Sequence, residues 1–212
     1  MSAPGPPAHV RVLGRAISAL SARAPFLWPL LRRPVRGWWD RQADEWSRRE
    51  SRSDPARLAA FAAALLEVPP PERALDIGTG LGEAALLVAR EFPSARVRGV
   101  DISEEMVRGA SRRVGLDSEG RIAFRVADAA ALPYDDGSFD LVTMLNMPVF
   151  FSEVARVLRS GGHVIVASTH GAATPYYTPD RALRRGFARH DLERVRSGGV
   201  GIGTFFVARL AE

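Results

Sequence analysis

The chain has 212 residues, of which 46% are hydrophobic, and this length and composition fit one domain with a full-sized core. It contains no cysteine, and all 29 of its Lys and Arg residues are arginine, which excludes disulfides, thiolate nucleophiles, cysteine-bound metals and Schiff-base lysines. The net charge of +5 comes from arginines interleaved with acids, so it does not by itself indicate a nucleic-acid partner.

No apolar run approaches the roughly 20 residues that cross a bilayer. We therefore expect no transmembrane segment and, because cysteine is absent, a reducing cytoplasmic location.

Residues 1–53 are predicted to form an N-terminal arm and a tryptophan-rich helical cap, ahead of a main domain over residues 54–212. Residues 1–39 contain six arginines and no acid, with an amphipathic stretch over residues 10–20. A transit peptide has this composition, but we favour a flexible arm or an extra helix that lies over the active site.

All four tryptophans lie in this first segment, and those between residues 38 and 46 have helical spacing. Packing on the main domain is the simplest interpretation. The alternative is a lid over a cofactor or hydrophobic substrate, in which Trp39 and Trp46 would line the acceptor pocket.

The next element is a helix that Asp54 and Pro55 are predicted to begin, as N-cap and first-turn residue. Its apolar residues share one face, and prolines at 69–71 end it. These apolar residues are Leu58, Phe61, Leu65 and Leu66.

From Glu72 onward, short β-rich runs alternate with helical runs, which is typical of a parallel sheet covered on both faces. Strands are predicted near 73–77, 96–101, 122–127, 140–145 and 163–168, and helices near 81–91, 103–114 and 149–159. The runs 192–196 and 204–210 are separated by a glycine-rich stretch and indicate a terminal hairpin. The predicted fold is α/β, a Rossmann-like, doubly wound, mostly parallel seven-stranded sheet with an antiparallel C-terminal hairpin and a helical N-terminal extension.

A glycine-rich turn follows the first predicted strand, at residues 78–82, where the backbone can approach a ligand closely. Its glycine spacing differs from that of the dinucleotide fingerprint. Asp76, just before the glycines, would repel a pyrophosphate but suits a cationic group such as an amino-acid ammonium.

Acids also end the next two strands. Asp101 can accept hydrogen bonds from two ribose hydroxyls, and Ile102 beside it can lie against an adenine ring. Asp128 can accept a hydrogen bond from an adenine amino group. Since the carboxyl ends of parallel strands meet at one edge of a sheet, where open α/β folds bind ligands, these acids should lie together.

With these residues the sequence resembles the class I S-adenosylmethionine-dependent methyltransferases, in particular the small-molecule branch that includes quinone methyltransferases. The resemblance rests on five motifs, at residues 75–82, 99–106, 127–134, 137–142 and 153–162. It implies S-adenosyl-L-methionine as cofactor, with its methionine end on Asp76, Gly78 and Gly80, its ribose on Asp101 and its adenine on Asp128 and Ile102. The full set of expected cofactor contacts is Asp76, Gly78, Thr79, Gly80, Gly82, Asp101, Ile102, Met106, Asp128, Ala129 and Asn146.

The chain departs from the family pattern after the fourth strand, where Asn146 leads almost at once into the next helix. The family usually has a longer segment there, so we expect a more open substrate pocket. Amino-group methylases of DNA and RNA carry Asn-Pro-Pro-Tyr at this place, and the Asn-Met-Pro-Val found here argues against that activity.

The acceptor is expected to be a small aromatic or lipophilic metabolite. Methyl transfer from a sulfonium needs no nucleophilic residue, but a base assists if the acceptor is a hydroxyl or an acidic carbon. His170 follows the fifth strand on the cofactor edge and is the candidate base, the alternative being a loop histidine that faces water. Tyr176 and Tyr177 on the same loop either line the acceptor pocket or pack the loop down.

Two alternatives remain open, an RNA or protein methyltransferase and a non-catalytic protein that binds the cofactor. We expect no metal.

Overall fold

The structure, a computed structural model, describes residues 8–50, 55–114 and 120–212, and for residues 46, 47, 49, 50 and 55 it describes the backbone alone. Seven strands form a single sheet. They are β1 (Arg73–Ile77), β2 (Arg96–Asp101), β3 (Ile122–Val126), β4 (Phe139–Leu145), β5 (Leu158–Ser168), β6 (Leu192–Val200) and β7 (Gly203–Leu210). The helices are α1 (Ala8–Arg23), α2 (Trp28–Glu50), α3 (Ala59–Leu65), α4 (Glu83–Glu91), α5 (Glu104–Val114), α6 (Phe151–Val157) and α7 (Asp180–Ala188).

The strand order is β3-β2-β1-β4-β5-β7-β6. Neighbours from β3 to β5 pair in parallel, whereas β7 runs antiparallel to both β5 and β6. The strand order reverses at β1 and β4, which is where open α/β sheets form their ligand crevice. The predicted fold class is therefore confirmed, including the antiparallel C-terminal hairpin.

The central strands are buried on both faces because helices cover each side. On one face α6 and α7 pack on alternate strand residues such as Leu75 and Val142, and on the other α3 and α4 pack on Ala74 and Leu141. This two-sided burial explains why these strands are almost continuously apolar.

Several predicted boundaries were wrong. The helix predicted at 149–159 ends at Val157, because Leu158 already pairs with Phe139 and begins β5, five residues before the predicted start at 163. In the hairpin, Gly198 and Gly199 pair with β7, so the turn between the strands is confined to residues 201–202.

The helix predicted from Asp54 begins as a single 3₁₀ turn, Pro55–Leu58, and becomes α-helical at Ala59. Phe61 and Leu65 are buried as expected, but Leu66 lies beyond the helix end and is exposed. Asp54 itself lies outside the described residues.

The predicted N-terminal extension is helical. A 3₁₀ turn, Pro25–Leu27, joins α1 to α2, and both helices pack on the carboxyl edge of the sheet. We call α1, this turn and α2 the cap. Within the described part of the chain, no helix has both the length and the apolar character needed to cross a membrane.

Candidate cofactor site and its cap

The glycine-rich turn after β1 is held against the end of β2 by two backbone donors. The Thr79 N–H donates to the Val100 carbonyl at 2.9 Å, and the Gly80 N–H donates to Asp101 Oδ2 at 2.9 Å. Gly78, Gly80 and Gly82 all have positive φ angles, of 66°, 53° and 85°, which a side chain would strain. Gly82 then caps the N-terminus of α4.

Asp76 lies at the base of this turn and is almost completely buried. Its Oδ1 accepts a hydrogen bond from the Thr143 hydroxyl at 2.8 Å, while Oδ2 has no hydrogen-bond partner among the described residues. Burial raises the pKa of Asp76 from 3.8 to about 6, against the opposing effect of the Thr79 and Thr143 hydroxyls. A cation at Oδ2 would compensate this buried charge.

Asp101 organises the end of β2 with both carboxylate oxygens. Oδ2 accepts the Gly80 N–H, and Oδ1 accepts the Ser103 N–H at 2.9 Å. Burial raises the pKa of Asp101, and these backbone hydrogen bonds oppose the shift. Since a carboxylate has about four acceptor sites, both oxygens can still accept from ligand hydroxyls.

Asp128, the acid expected to read an adenine amino group, is already engaged by the cap. Its Oδ1 accepts the Ala130 N–H at 2.9 Å and the indole N–H of Trp28 at 2.7 Å. Arg32 lies 4.0 Å from Oδ2. Trp28 is buried, with its ring edge-on to Phe150 at a centroid distance of 5.1 Å.

The end of β4 has an unusual backbone. Asn146 has a φ of 56°, and its Oδ1 accepts hydrogen bonds from the backbone N–H and the hydroxyl of Thr169 at 2.9 and 3.2 Å. The next residue, Met147, is packed so tightly on Gly78 that a Cβ there would meet its sulfur at 2.5 Å. Asn146 thus links the ends of β4 and β5 and directs Met147 over the glycine-rich turn.

The second helix of the cap is fixed to the start of α5. Asp40 accepts a hydrogen bond from the Ser103 hydroxyl at 2.6 Å, and Arg36 pairs with Glu104 at 3.3 Å. Trp39 packs with Leu81 and Met106, two residues of the expected cofactor edge. The side chain of Trp46 lies outside the described residues.

The first helix of the cap holds the loop after β5. Ser18 donates to the Tyr176 carbonyl at 3.1 Å, and Arg15 donates to the carbonyls of Ala172 and Tyr177. The Arg15 guanidinium also lies over the Tyr177 ring, 4.8 Å from its centroid.

Tyr176 lies in the centre of the covered region, where burial raises the pKa of its hydroxyl. An apolar cluster fills the space between the cap and the carboxyl edge, built from Ile17, Trp28, Leu31, Val35, Ile102, Ala129, Ala130, Met147, Phe150 and Tyr176. A separate cleft of about 200 Å³ lies between α2 and α5. Because the apolar cluster occupies the carboxyl edge beside the acids, we expect the cap to shift when a ligand of nucleoside size binds there.

His170 is half-buried, and its Nδ1 lies 3.0 Å from the Thr169 hydroxyl. The Thr169 hydroxyl has one hydrogen, and the Asn146 oxygen can only accept a hydrogen bond. The Thr169 hydroxyl therefore donates to Asn146. With the Thr169 hydrogen directed to Asn146, His170 donates from Nδ1, and its neutral form carries the lone pair on Nε2, as a base requires.

The sequence thus places most of the candidate residues in one region, but it missed Trp28, Asp40 and Met147. Trp28 and Asp128 are 100 residues apart, and Asp40 and Ser103 are 63 apart. No periodicity or spacing connects such distant positions, so no signal in a single sequence could have found these contacts.

The chain is similar to known methyltransferases in both sequence and structure. Residues 74–162 match the model of a family described as "Methyltransferase domain". The chain is 34% identical over 174 residues to 27-O-demethylrifamycin SV methyltransferase of Amycolatopsis mediterranei, covering 78% of this chain and 58% of that protein. It is 38% identical over 103 residues to a ubiquinone/menaquinone biosynthesis C-methyltransferase of Geobacter sulfurreducens, covering 44% of this chain and 40% of that protein.

Among solved structures, a SAM-dependent methyltransferase from Aquifex aeolicus superposes with a TM-score of 0.63 at 19% identity, covering 78% of this chain and 98% of that one. An identity this low shows the shared fold alone. The chain spans about half the length of the curated relatives it matches, between 36% and 58%.

Proposed function

The chain carries a class I S-adenosylmethionine-dependent methyltransferase domain, and we propose that it transfers a methyl group from this cofactor to a small aromatic or lipophilic acceptor. The observation that carries the proposal is Asp76 Oδ2, which is buried beside the glycine-rich turn without a hydrogen-bond partner among the described residues, with Asp101 and Asp128 at the next two strand ends. Two of the curated relatives, named above, act on a rifamycin and in quinone biosynthesis, which supports an acceptor of this class.

The residues present fit this cofactor. Asp76 Oδ2 offers a buried negative charge to the ammonium of the methionine end, and Asp101 offers two carboxylate oxygens to the ribose hydroxyls. Gly80 has no atom within 4 Å of where a Cβ would stand, so backbone on that side of the turn is accessible. Ile102, Ala129 and Met106 supply apolar surface on the same edge.

When bound, S-adenosylmethionine supplies an electrophilic methyl group on a sulfonium. The protein's part is to orient donor and acceptor and to exclude water, which for a displacement of this kind supplies most of the catalysis. The apolar cluster of the cap excludes water from this edge, and Trp39, Tyr176 and Tyr177 are the proposed acceptor contacts. The base proposed for an acidic acceptor is His170, through Nε2.

The test of the proposed function is calorimetric titration of the full chain with S-adenosylmethionine, S-adenosylhomocysteine and NADH. We expect micromolar binding of the two adenosyl ligands and no binding of NADH, because Asp76 disfavours a pyrophosphate. A folded protein that binds neither adenosyl ligand would contradict the proposal. Binding without turnover on a panel of aromatic, lipophilic, RNA and protein acceptors would favour the non-catalytic alternative.

Replacing Trp28 by phenylalanine should strengthen cofactor binding. The indole N–H and the Ala130 N–H take both acceptor sites of Asp128 Oδ1, the oxygen that we propose for the adenine amino group, so the closed cap and the cofactor compete for this oxygen. A hydrogen bond to a charged group contributes about 1.5–3 kcal/mol, so its removal should tighten the apparent affinity for S-adenosylhomocysteine by roughly tenfold or more. Phenylalanine retains the ring contact with Phe150.

The matched control is Trp38→Phe, since Trp38 is more exposed and lies outside the cluster over the acids. It should leave the affinity unchanged. If Trp28→Phe weakens binding instead, the indole assists the cofactor and does not compete with it.

The base is tested by His170→Gln, measured on any acceptor that the panel identifies. We expect kcat to fall by roughly 10²–10⁴-fold with cofactor affinity retained. An unchanged kcat would remove His170 from the mechanism.

A further inference from the structure

Large apolar side chains are exposed on the outer side of the cap, at and beside the turn between α1 and α2. Phe26 and Leu27 lie in this turn and Leu30 lies in the first turn of α2, with 77%, 36% and 74% of their surfaces in solvent. Two further exposed apolar residues, Val12 and Leu13, lie in the first half of α1. Exposed apolar groups collected at one turn, and not scattered singly, indicate an interaction surface.

The outer face of α1 continues this surface. Val12, Ala16, Ala19 and Arg23 follow one another at spacings of four, three and four residues, so they form one stripe along the helix, and all are exposed. The opposite face, which includes Ile17 and Ser18, is buried on the protein. Packing on the main domain therefore explains one side of α1 and leaves the apolar outer side unexplained.

Charge identifies the kind of partner. Residues 8–39 carry six arginines and no acid. Arg32 and Arg36 face acids of the main domain, and Arg15 is bound to carbonyls. The remaining three, Arg11, Arg23 and Arg33, form no ion pair with an acid in the part of the chain that the structure describes.

We propose that the turn between α1 and α2 docks on an anionic lipid surface. Phe26, Leu27 and Leu30 enter the boundary between headgroups and acyl chains, and Arg23 and Arg33 contact the lipid phosphates. An apolar tip flanked by arginines, without acids, is the pattern that binds anionic membranes peripherally. Because the apolar residues stand on a turn between two helices and not in a groove, they suit insertion into a soft layer better than docking of a folded partner.

The docking surface and the cofactor site share one turn of chain. Trp28 and Leu31 point inward to the cluster over the acids, while Leu27 and Leu30 point outward. Lipid docking therefore acts on the same turn as the indole that holds Asp128, and it places the site next to the phase in which a lipophilic acceptor dissolves. The docking proposal itself does not rest on the proposed methyl transfer.

The test is sedimentation of the full chain with vesicles, either of phosphatidylcholine alone or of phosphatidylcholine and phosphatidylglycerol in equal parts. At low salt we expect binding to the anionic vesicles to be at least about tenfold tighter than to the neutral ones, and to weaken as salt is added. The double variant Phe26→Ser/Leu30→Ser should lose about tenfold or more of this binding. Arg23→Gln/Arg33→Gln should lose a similar factor at low salt.

The matched control is Leu66→Ser/Ile202→Ser, which removes two apolar side chains that are 77% and 62% exposed but belong to neither helix of the cap nor to the turn between them. It should bind anionic vesicles as the unchanged chain does. Calorimetric titration with S-adenosylhomocysteine in parallel separates the two proposals, because vesicle binding does not require a ligand at the cofactor site.

Three results would overturn the docking proposal. One is no binding to anionic vesicles at low salt. Another is equal loss of binding in the turn variants and in the control. The third is a protein that does not bind vesicles but is retained on RNA or on an acidic protein. This retention would be lost in the arginine variants.

Discussion

Replacing Asp76 by asparagine should stabilise the ligand-free protein at pH 8 and weaken its binding of S-adenosylhomocysteine. Burial raises the pKa of Asp76 to about 6, above its ordinary value of 3.8, so the folded state binds the proton more tightly than the unfolded state. The stability from this group is present below about pH 4 and is lost as the pH rises through 6. At about 1.4 kcal/mol for each pKa unit, ionisation costs roughly 3 kcal/mol over that window.

Asparagine keeps an acceptor for the Thr143 hydroxyl and carries no charge, so it avoids this cost. Denaturant unfolding should show that the wild-type protein has a lower free energy of unfolding at pH 8 than at pH 5. In the variant, the part of this loss that comes from Asp76 should be absent. Its affinity for S-adenosylhomocysteine should drop roughly tenfold to a hundredfold, because the ammonium loses a charged partner.

Asp140→Asn is the matched control, at the opposite edge of the same sheet. Asp140 accepts the N–H groups of Glu72 and Arg73 at 2.7 Å, so its replacement should reduce stability and leave the ligand affinity unchanged. A pH dependence for Asp76→Asn equal to that of the unchanged chain would show that Asp76 carries no buried charge.

Replacing Asp101 by alanine should reduce the affinity for S-adenosylmethionine and S-adenosylhomocysteine by at least about a hundredfold. The variant removes the proposed acceptor of two ribose hydroxyls, and hydrogen bonds to a charged group contribute about 1.5–3 kcal/mol each. It also removes the acceptor of the Gly80 and Ser103 N–H groups, so the glycine-rich turn loses its link to β2. Calorimetric titration measures the loss.

Asp135→Ala is the control for this experiment, since Asp135 is an exposed acid on the loop before β4. It should bind both ligands as the unchanged chain does, with circular dichroism showing that each variant is folded. If Asp101→Ala is folded and keeps its affinity, the ribose does not lie at the end of β2 and the proposed orientation of the cofactor is wrong.

The sheet could be predicted to within a few residues because its signals are local. Residues 73–77 and 96–101 are short β-rich runs, the first followed by the glycine-rich turn and the second ending in an acid. The boundary errors lie where a backbone hydrogen-bond partner determines whether a residue belongs to a helix, a strand or a loop. Leu158 could continue α6, but Phe139 offers it a strand partner, and Gly198 and Gly199 could form a loop, but they pair with β7.

The candidate site likewise has features that the sequence predicts and contacts that it does not predict. Asp76, Asp101 and Asp128 could be grouped from the sequence because parallel strands deliver their carboxyl ends to one edge. The expectation of a more open pocket after the fourth strand rested only on the length of the segment that follows this strand. Met147 fills the space over Gly78, and Trp28 reaches Asp128.

The parallel sheet, the glycine-rich turn and the row of acids could be predicted from the sequence, since each depends on backbone conformation and strand direction within a few residues. Three other features are visible only in the folded chain: α1 and α2 close over those acids, an indole N–H holds Asp128, and Phe26 and Leu30 remain in solvent. These features depend on which side chains meet across about 100 residues of chain, and the meeting is set by packing, for which a single sequence carries no periodic signal.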